Sequence, residues 1–419
     1  MLQSSSRSIL KIPEEDYRSR VRSGYAMCFL PSSCISREVA REVAQIWQIS
    51  GKMILSGVAV ALAFSPASNR APTTSRSIAV RMAGDSSVLI IQNKGGGHGE
   101  IGYHLALQLA KDKGMPVTIL HEGPNKGKPP HNAYGDLDAA GIKVHWCDNL
   151  EDSAACLAAL GSARFTAVVD NWSKSPEQIK PYAEAAKGWG VTNYAYVSSA
   201  GMYTPAKGEK GAIAETCAVK SSGQRQAEEL IAAMGLPYSY FRPQYIYGPK
   251  QGKSYLSFFF DRLTRGRPVP VPNDGKQSVT MTHAADNAAM IAAAIGNEKA
   301  VGEAFNCATT LLITYDELVR KCAGAAGVDC EIAYYDPKGY VKPSDDFKFG
   351  FPFRDISFFV SAEKAKTLLG FEPKHDIAKD IGWYFESNYK ASGAMEKAKK
   401  LSFEDDDLVL TAKLNAATK

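Results

Sequence analysis

The sequence lacks the cysteine spacing of a metal site or of a disulfide framework. Its eight cysteines include no Cys-x-x-Cys pair, whereas zinc modules and small disulfide scaffolds are recognised by regular, closely spaced cysteines. Most of the cysteines lie among apolar or small residues, which is typical of small core side chains. The pattern excludes both classes of site and is typical of a protein in a reducing compartment.

The chain also lacks a stable membrane span in its leader. The apolar run Met53–Ala63 has eleven uncharged residues, the length of a signal-peptide core, whereas a transmembrane helix needs about 20. From there to Gly84 the chain has three arginines, many Ser and Thr, and no acidic residue, which is typical of a transit peptide. We predict a targeting leader over residues 1–83, with 1–52 as an upstream extension if Met53 is the true start. A disordered tail is the alternative.

The positive charge of the chain is concentrated in this leader. The formal net charge is +5, but residues 1–83 alone hold eleven Lys and Arg against five Asp and Glu. The rest of the chain is therefore nearly neutral. Bulk charge gives no argument that the folded part binds nucleic acid.

The folded part is organised around Ser87–Leu120, a predicted strand–turn–helix–strand unit. Val88–Ile91 and Val117–Leu120 are short uncharged apolar runs, typical of strands that are buried on both faces. Between them, a glycine-rich turn precedes a stretch with helical spacing, Tyr103–Lys113. The order of elements predicts a βαβ unit.

Three glycines of this unit have the spacing of a dinucleotide-binding turn. In such a turn Gly96 permits the tight bend, Gly99 lets the backbone approach a pyrophosphate, and Gly102 lets the helix pack close to the strand. The helix N-terminus also offers free N–H groups to an anion. A flexible turn without a ligand is the alternative.

Strand and helix patterns continue to alternate as far as about residue 250, which indicates a parallel sheet with helices on both faces. We predict an α/β fold, a Rossmann-like doubly wound parallel sheet with a smaller C-terminal capping region. The expected parts are an NAD(P)-binding domain over 84–250, a C-terminal substrate- or RNA-side region over 251–390, and a polar tail over 391–419. The acidic run Glu404–Asp407 is expected to be solvated.

Several motifs resemble those of the extended short-chain dehydrogenase/reductase superfamily, which includes the NAD-dependent sugar-nucleotide epimerases and dehydratases. The resemblance runs from Val88 to about Phe385 and places Ser199 at the catalytic serine. The segments that carry it are Gly95–Gly102, Asp148–Leu150, Ser198–Tyr203, Arg242–Pro243, Ile246–Pro249 and His283-x-x-Asp286.

The chain departs from this superfamily at the Tyr-x-x-x-Lys pair, in which the tyrosine exchanges a proton with the substrate and the lysine lowers its pKa. Counting back from the acidic pair Glu228–Glu229, the lysine position falls on Gln224 and the tyrosine position on Lys220. Gln224 has no charge, and Lys220 is a poor substitute for a phenol at neutral pH. The sequence therefore argues against the superfamily's hydride chemistry, unless Lys220 or Tyr203 replaces the missing tyrosine.

The same resemblance indicates where NAD(P) would bind. Glu122 lies twenty residues past the last glycine of the turn, a spacing suited to the ribose of NAD, and Asp148 resembles the acid placed near the adenine. Lys126 and Lys128 could instead meet the 2′-phosphate of NADP. The alternative is that Glu122 and both lysines are solvated loop residues.

Further segments resemble the chloroplast stem-loop-binding protein family, atypical members of the superfamily in plastids and cyanobacteria. This resemblance implies binding of plastid RNA stem-loops, endonuclease activity assisted by a divalent metal such as Mg²⁺ in some members, and association with plastid ribosomes or transcription complexes. It agrees with the leader, which resembles that of plastids with extra bounding membranes and predicts a plastid stromal protein. The segments are Gly96–His98, Ile101–Gly102, Ser198–Gly201, Phe241–Tyr245, Phe259–Arg262, Phe305–Cys307, Tyr335–Lys338 and Phe351–Arg354.

The stretch Lys250–Arg267 has the composition of an RNA-binding surface, because cations attract phosphate and aromatic rings stack on unpaired bases. The alternative is that its phenylalanines are core residues and its arginines hold the phosphates of a sugar nucleotide. His98 and His104 are candidate general acid–base groups or ordinary loop and helix residues. The predicted RNA-binding residues are Lys250, Lys253, Arg262, Arg265 and Arg267.

These observations favour a plastid RNA-binding protein, with endoribonuclease activity as a further hypothesis. Ser199, Lys220, Arg242 and Gln244 are expected to line a cleft beside the nucleotide pocket, which could sense NAD(P), bind one nucleotide of the RNA, or be vestigial. A homo- or hetero-oligomer is expected. The alternatives are an NAD(P)-dependent nucleotide-sugar epimerase, dehydratase or reductase, and a structural subunit without catalysis.

Overall fold

The computed structural model of the chain describes residues 86–123, 134–206, 211–309 and 311–412. The predicted leader, Lys126 and Lys128 lie outside the described residues. The strands are β1 (Val88–Gln92), β2 (Val117–Glu122), β3 (Lys143–Cys147), β4 (Ala167–Asn171), β5 (Asn193–Val197), β6 (Tyr238–Pro243), β7 (Ile246–Tyr247), β8 (Val269–Pro272), β9 (Ser278–Val279), β10 (Thr282–His283), β11 (Glu303–Cys307), β12 (Ile313–Thr314) and β13 (Ile332–Tyr335).

Helices connect and follow these strands. They are α1 (Ile101–Lys113), α2 (Gly135–Ala139), α3 (Ser153–Ala158), α4 (Pro176–Trp189), α5 (Gly223–Ala233), α6 (Ser257–Leu263), α7 (Ala284–Ala294), α8 (Tyr315–Ala326), α9 (Glu363–Leu369), α10 (Ile377–Tyr384), α11 (Ala394–Ala398) and α12 (Glu404–Val409). A π-helical turn, Phe385–Lys390, continues α10, and short 3₁₀ turns lie at Gly96–His98, Ala200–Met202, Glu298–Ala300 and Leu410–Ala412.

Seven strands form one parallel sheet in the order β11–β6–β5–β4–β1–β2–β3. Its central strand β1 is buried on both faces, because Val88 and Ile90 pack with α1 and α7 while Leu89 and Ile91 pack with α4. This confirms the predicted Rossmann-like doubly wound sheet. The order reverses at β1, so β1 and β4 diverge at their carboxyl ends, where such folds bind ligands.

The C-terminal region has its own aromatic core, built mainly by α6, α8, α10 and the π-helical turn. Phe259 and Phe260 are fully buried in it, so the core alternative is correct for these two rings. Three short strand pairs, β7 with β10, β9 with β12 and β8 with β13, form separate two-stranded sheets. The C-terminal region reaches the carboxyl edge of the seven-stranded sheet through the turn between β6 and β7.

The segment interpreted as a polar tail contributes α11 and α12 as far as residue 412 is described. Asp406 is buried, with 1% of its surface exposed, and it receives two hydrogen bonds from Arg262, Nε–Oδ2 at 2.8 Å and Nη2–Oδ1 at 2.6 Å. The expectation that the acidic run is solvated is therefore wrong for Asp406. A carboxylate can be buried there because the guanidinium neutralises it.

Within the described ranges, no helix combines the length and apolar composition needed to cross a membrane. The cysteines in those ranges are free thiols, and Cys147, Cys156, Cys307 and Cys322 are buried. This agrees with their interpretation as small core side chains.

Candidate functional site

The glycine turn connects β1 to α1, as the sequence predicts. Gly95, Gly96 and Gly99 all have positive φ angles, of 67°, 57° and 56°. Gly102 lies against β1, where an added Cβ would come within 1.9 Å of the Gln92 side chain. The helix therefore approaches the strand more closely than a larger residue would allow.

The outer side of this turn is covered by the protein's own chain, Pro249–Gly252, which we call the covering segment. A Cβ on Gly99 would lie 2.6 Å from the Gly252 amide nitrogen and 2.7 Å from the Lys250 carbonyl oxygen. The Glu100 N–H, at the N-terminus of α1, donates to that same carbonyl at 3.0 Å. His104 in α1 contacts the Pro249 carbonyl through Nε2 at 2.9 Å. The covering segment thus lies over the turn and takes one of the N–H donors that a helix N-terminus offers to an anion.

A buried carboxylate adds to this incompatibility. Glu100 has 1% of its surface exposed, and it accepts hydrogen bonds from Asn93 Nδ2 and from the Tyr134 hydroxyl. His121 Nε2 lies 3.6 Å from the same carboxylate, and the Lys250 ammonium lies 4.5 Å from the centre of the Tyr103 ring. The Lys250 ammonium offsets part of this negative charge, and what remains disfavours an anion. With the covering segment over the turn, the residues present do not fit a dinucleotide in this arrangement.

The two acidic residues expected at the cofactor have separate environments. Glu122, at the end of β2, accepts from the Trp172 indole N–H at 3.3 Å. Asp148 is exposed beyond β3 and lines a cavity of about 280 Å³ with Trp146 and Asn149. Neither residue touches a second, larger cavity at the carboxyl edge of the sheet.

This larger cavity has a volume of about 330 Å³, and we call it the aromatic cavity. One side is formed by the glycine turn and the loop after β5, and the other by the β6–β7 turn and the segment before α9. Its lining residues are Gly97, His98, Ser199, Gly201, Pro243, Gln244, Tyr245, Ile246, Tyr255, Arg354 and Phe358. The structure thus brings Ser199 and Gln244 together with the glycine turn, as predicted.

Lys220, the predicted partner of Ser199, is exposed and is not among the residues that line the aromatic cavity. Its backbone N–H donates to the Met202 carbonyl at 2.9 Å, and it precedes α5. Ser199 Oγ accepts from the Gly201 N–H at 3.1 Å. The described arrangement contains no Ser–Lys pair that could move a proton.

Tyr203 is unsuited to replace the missing tyrosine because it is buried and fully engaged. Its hydroxyl donates to Asn306 Oδ1 at 2.7 Å and accepts from Arg242 Nη1 at 2.9 Å. Burial raises the pKa of Tyr203 to about 12, so the phenol stays protonated at neutral pH.

Arg242 was expected in the cleft, but the structure places it in the interior. Its guanidinium binds Glu228 of α5 with Nε–Oε1 at 3.0 Å and Nη2–Oε2 at 2.6 Å. Arg242 and Glu228 are 3% and 1% exposed. This arginine therefore connects β6 to α5 and is not available to a ligand.

Gln244 lines the aromatic cavity but uses its side chain to hold the cavity wall. Its Oε1 accepts from the Thr280 hydroxyl at 2.9 Å and from the Val360 N–H at 3.1 Å. Its Nε2 donates to the Phe358 carbonyl. Gln244 is a positioning residue for the segment that carries Phe358 and Arg354.

The predicted RNA-binding cations separate into two groups. Lys253 is exposed and lies 5.0 Å from the centre of the Tyr255 ring, at the rim of the aromatic cavity. Lys250 is half-buried over Tyr103 in the covering segment. Arg262, in contrast, is paired with Asp406 in the interior, so its predicted contact with RNA phosphate does not fit its environment.

Arg265 and Arg267 lie with Arg262 around Phe403, at 5.9 Å and 5.3 Å from the ring centre. Arg265 Nη1 donates to the Ala398 carbonyl at 2.8 Å, and Arg267 pairs with Asp407. Both therefore hold the C-terminal helices against α6, which leaves less of their hydrogen-bonding capacity for RNA.

Two basic groups lie on the glycine-turn side of the aromatic cavity: Lys94, which is buried, and His98, which is partly buried and lines the cavity. Lys94 is 2% exposed and donates to the Val197 carbonyl, and burial lowers the pKa of its ammonium to about 7. His98 Nε2 contacts the Ser198 carbonyl at 2.8 Å, and burial, together with the nearby Lys94, lowers the pKa of His98 to about 3. His98 is therefore neutral at pH 7 and, since Nε2 must donate to the carbonyl, it offers an acceptor at Nδ1.

Tyr245 and Arg354 are cavity residues that the sequence pattern did not single out as site residues. Both lie in segments that resemble the stem-loop-binding family, Phe241–Tyr245 and Phe351–Arg354, so that signal was present. The pairing of Arg354 with the loop after β5 was not visible, because 153 residues separate Arg354 from Gly201, whose carbonyl it binds. In the described ranges, no group of three His, Cys, Asp or Glu side chains is arranged to hold a metal ion.

Comparison with known proteins gives the same fold and a specific set of relatives. A model of the NAD dependent epimerase/dehydratase family matches residues 95–308. The chloroplast stem-loop binding protein of 41 kDa b from Arabidopsis thaliana is 32% identical over 347 residues, which are 80% of this chain and 87% of that protein.

Solved structures with similar folds include a dTDP-glucose 4,6-dehydratase from Bacillus anthracis in complex with NAD and a UDP-glucose 4-epimerase from Thermotoga maritima with UDP-glucose. The first has a TM-score of 0.57 and 16% identity and covers 73% of this chain and 98% of its own. The second has a TM-score of 0.56 and 19% identity and covers 73% and 99%. At such low identity, these structures establish the fold alone.

Proposed function

Because the chain belongs to the chloroplast stem-loop-binding protein family, within the NAD dependent epimerase/dehydratase family, we propose that it is an RNA-binding protein of plastids. The relative's name supplies the ligand class and the compartment. The leader composition supports delivery to the plastid stroma. Assembly into an oligomer and association with ribosomes or transcription complexes belong to the same proposal.

The observation that carries this proposal is the aromatic cavity with cations beside it. Tyr245, Tyr255 and Phe358 present rings to it, Arg354 contributes a guanidinium, and Lys253 lies at the rim. Aromatic rings and cations together are what proteins use to hold unpaired RNA. The covered glycine turn supports RNA over NAD(P) as the ligand.

The epimerase or dehydratase alternative is less well supported by this geometry. That chemistry needs a proton-exchanging group beside Ser199, whereas Lys220 lies outside the cavity and Tyr203 is buried with both hydrogen-bonding functions used. A nicotinamide would also have to share the edge of the sheet with the covering segment. The family match and the retention of Ser199 are the features that favour this alternative.

Binding of a fluorescent RNA stem-loop to the full-length chain, followed by anisotropy over a salt series, tests the proposal. We expect salt-sensitive binding, weaker in Lys253→Gln, with the slope of log affinity against log salt smaller by about one. Lys143→Gln is the matched control, because Lys143 is exposed at the amino end of β3, on the opposite edge of the sheet. All variants carry the same basic leader, so its contribution to RNA affinity cancels when the variants are compared.

The absence of binding at low salt would contradict the proposed function and favour a test of nucleotide sugars. Cleavage is examined in the same samples with Mg²⁺. Metal-dependent product bands would add the endoribonuclease activity that the family resemblance implies, and intact RNA would leave binding as the activity.

A further inference from the structure

We propose that the aromatic cavity holds a single unpaired nucleotide of the RNA loop, with its base against the aromatic wall and its phosphate at Arg354. This inference rests on the proposed function, and it identifies the part of the RNA that the cavity takes. An RNA loop nucleotide and a free nucleotide both present one flat base and one phosphate, so either could fill the cavity, and the experiment below distinguishes them.

The wall of the cavity is a rigid aromatic corner. The rings of Tyr245 and Tyr255 meet edge to face, with centroids 5.4 Å apart and an interplanar angle of 82°. Both rings also pack on Phe353, at 4.9 Å and 6.0 Å. Because these rings are already fixed by packing, a base that stacks on one of them costs little side-chain entropy.

The backbone at the corner is held in an unfavourable conformation. Tyr245 has a φ angle of 39°, which a non-glycine residue adopts only when its surroundings impose it. Its neighbour Gln244 is fixed by Thr280 and Val360. Such strain is concentrated at ligand sites, and in this protein it aims the Tyr245 ring at the cavity, whose lining it joins.

The charge of the cavity suits a phosphate. The Arg354 guanidinium lies 3.5 Å from the centre of the Phe358 ring and donates one hydrogen bond to the Gly201 carbonyl, at 3.2 Å. A guanidinium has five N–H donors, so others can reach an anion. None of the lining residues that the structure describes is a carboxylate, which removes the repulsion present at the glycine turn.

The floor of the cavity has groups suited to the polar edge of a base. Ser199 Oγ accepts from Gly201, so its O–H can donate to a ligand, and neutral His98 can accept. The volume of about 330 Å³ is at the lower end of ligand pockets, which run from about 300 to 1,000 Å³. It suits one nucleotide and is small for a dinucleotide.

The test uses the full-length chain and stem-loops in which 2-aminopurine replaces each loop nucleotide in turn. We expect its fluorescence to fall on binding at one loop position, because stacking on an aromatic ring quenches it. Tyr245→Leu should abolish that change and weaken binding about tenfold. Arg354→Gln should weaken binding about threefold to tenfold and reduce the salt slope by about one.

Arg164→Gln is the matched control for the charge change, because Arg164 is exposed in the turn before β4, at the amino edge of the sheet. Thermal unfolding of Tyr245→Leu checks that this variant folds. Arg354→Gln tests the cavity independently of Tyr245, at a half-buried side chain whose replacement disturbs folding less. RNA binding with no position-specific fluorescence change, and with both variants within twofold of the unmodified protein, would overturn the inference while leaving the proposed function intact.

Titration with AMP and with UDP-glucose separates the two sources of a nucleotide. If either one binds more tightly than the stem-loop and depends on Tyr245, the cavity serves a free nucleotide and the inference is wrong. If neither displaces RNA at comparable concentration, the RNA loop is the ligand. If the unmodified chain binds no RNA at all, the proposed function fails, and this inference fails with it.

Discussion

Replacing Arg242 by Met should lower the free energy of unfolding by about 3–5 kcal/mol, because it removes the buried partner of the Glu228 carboxylate and leaves only Arg225, whose side chain is 32% exposed. Glu228 is 1% exposed, and its two oxygens receive hydrogen bonds from Arg242. Tyr203 loses a donor to its hydroxyl in the same variant. Chemical denaturation measured by circular dichroism gives the value.

Arg225→Met is the matched control. Arg225 also contacts Glu228, with Nη1–Oε2 at 3.1 Å, but its side chain is 32% exposed. Its replacement should therefore lower the free energy of unfolding by about 1 kcal/mol or less. If Arg242→Met were as stable as the unmodified protein and instead lost ligand affinity, Arg242 would line the cleft as its motif suggests. The buried ion pair between β6 and α5 would then not exist in solution.

Gly99→Ala should destabilise the protein by roughly 3 kcal/mol or more, the sum of backbone strain and a clash with the covering segment. Gly99 has φ 56° and ψ −153°, a region that is restricted to glycine. Its Cβ would also lie 2.6–3.0 Å from the backbone of residues 250–252, which cannot move away as a flexible side chain could. Thermal and chemical unfolding report the loss.

Gly95→Ala measures the strain by itself, so its difference from Gly99→Ala gives the contribution of the clash. Gly95 has almost the same backbone conformation, φ 67° and ψ −163°, but an added Cβ meets nothing within 4 Å. We expect it to cost about 1–3 kcal/mol from strain alone and Gly99→Ala to cost about 2 kcal/mol more. Equal losses in the two variants would mean that the covering segment does not pack on Gly99, and that the turn is open to a phosphate.

The regular part of the fold could be predicted because its signals are local. Most of the strands β1 to β6 are short runs rich in apolar or aromatic residues, and the helices between them have apolar residues at helical spacing, so each element is visible within a window of about ten residues. Strands that are buried on both faces, as in a parallel sheet, have continuous apolar sequences, and this pattern identifies the fold class with little ambiguity.

The candidate site was only partly predictable, because it depends on contacts between distant segments. Arg262 and Asp406 are 144 residues apart, and nothing in the composition of Lys250–Arg267 distinguishes a buried arginine from one on the surface. The glycine spacing of the turn is likewise unchanged by the covering segment, which lies about 150 residues further along the chain. Motif spacing therefore identified the fold, whereas the state of the dinucleotide site depended on tertiary packing.

Isothermal titration calorimetry of the full-length chain with NAD⁺, NADH, NADP⁺ and NADPH, followed by a stem-loop RNA in the same buffer, tests most directly whether RNA has replaced the dinucleotide as ligand. We predict binding heat with the RNA and none with the dinucleotides, because the covering segment and Glu100 occupy the glycine turn. Stoichiometric binding of any of the dinucleotides, abolished by Gly99→Ala and undisturbed by RNA, would contradict this prediction.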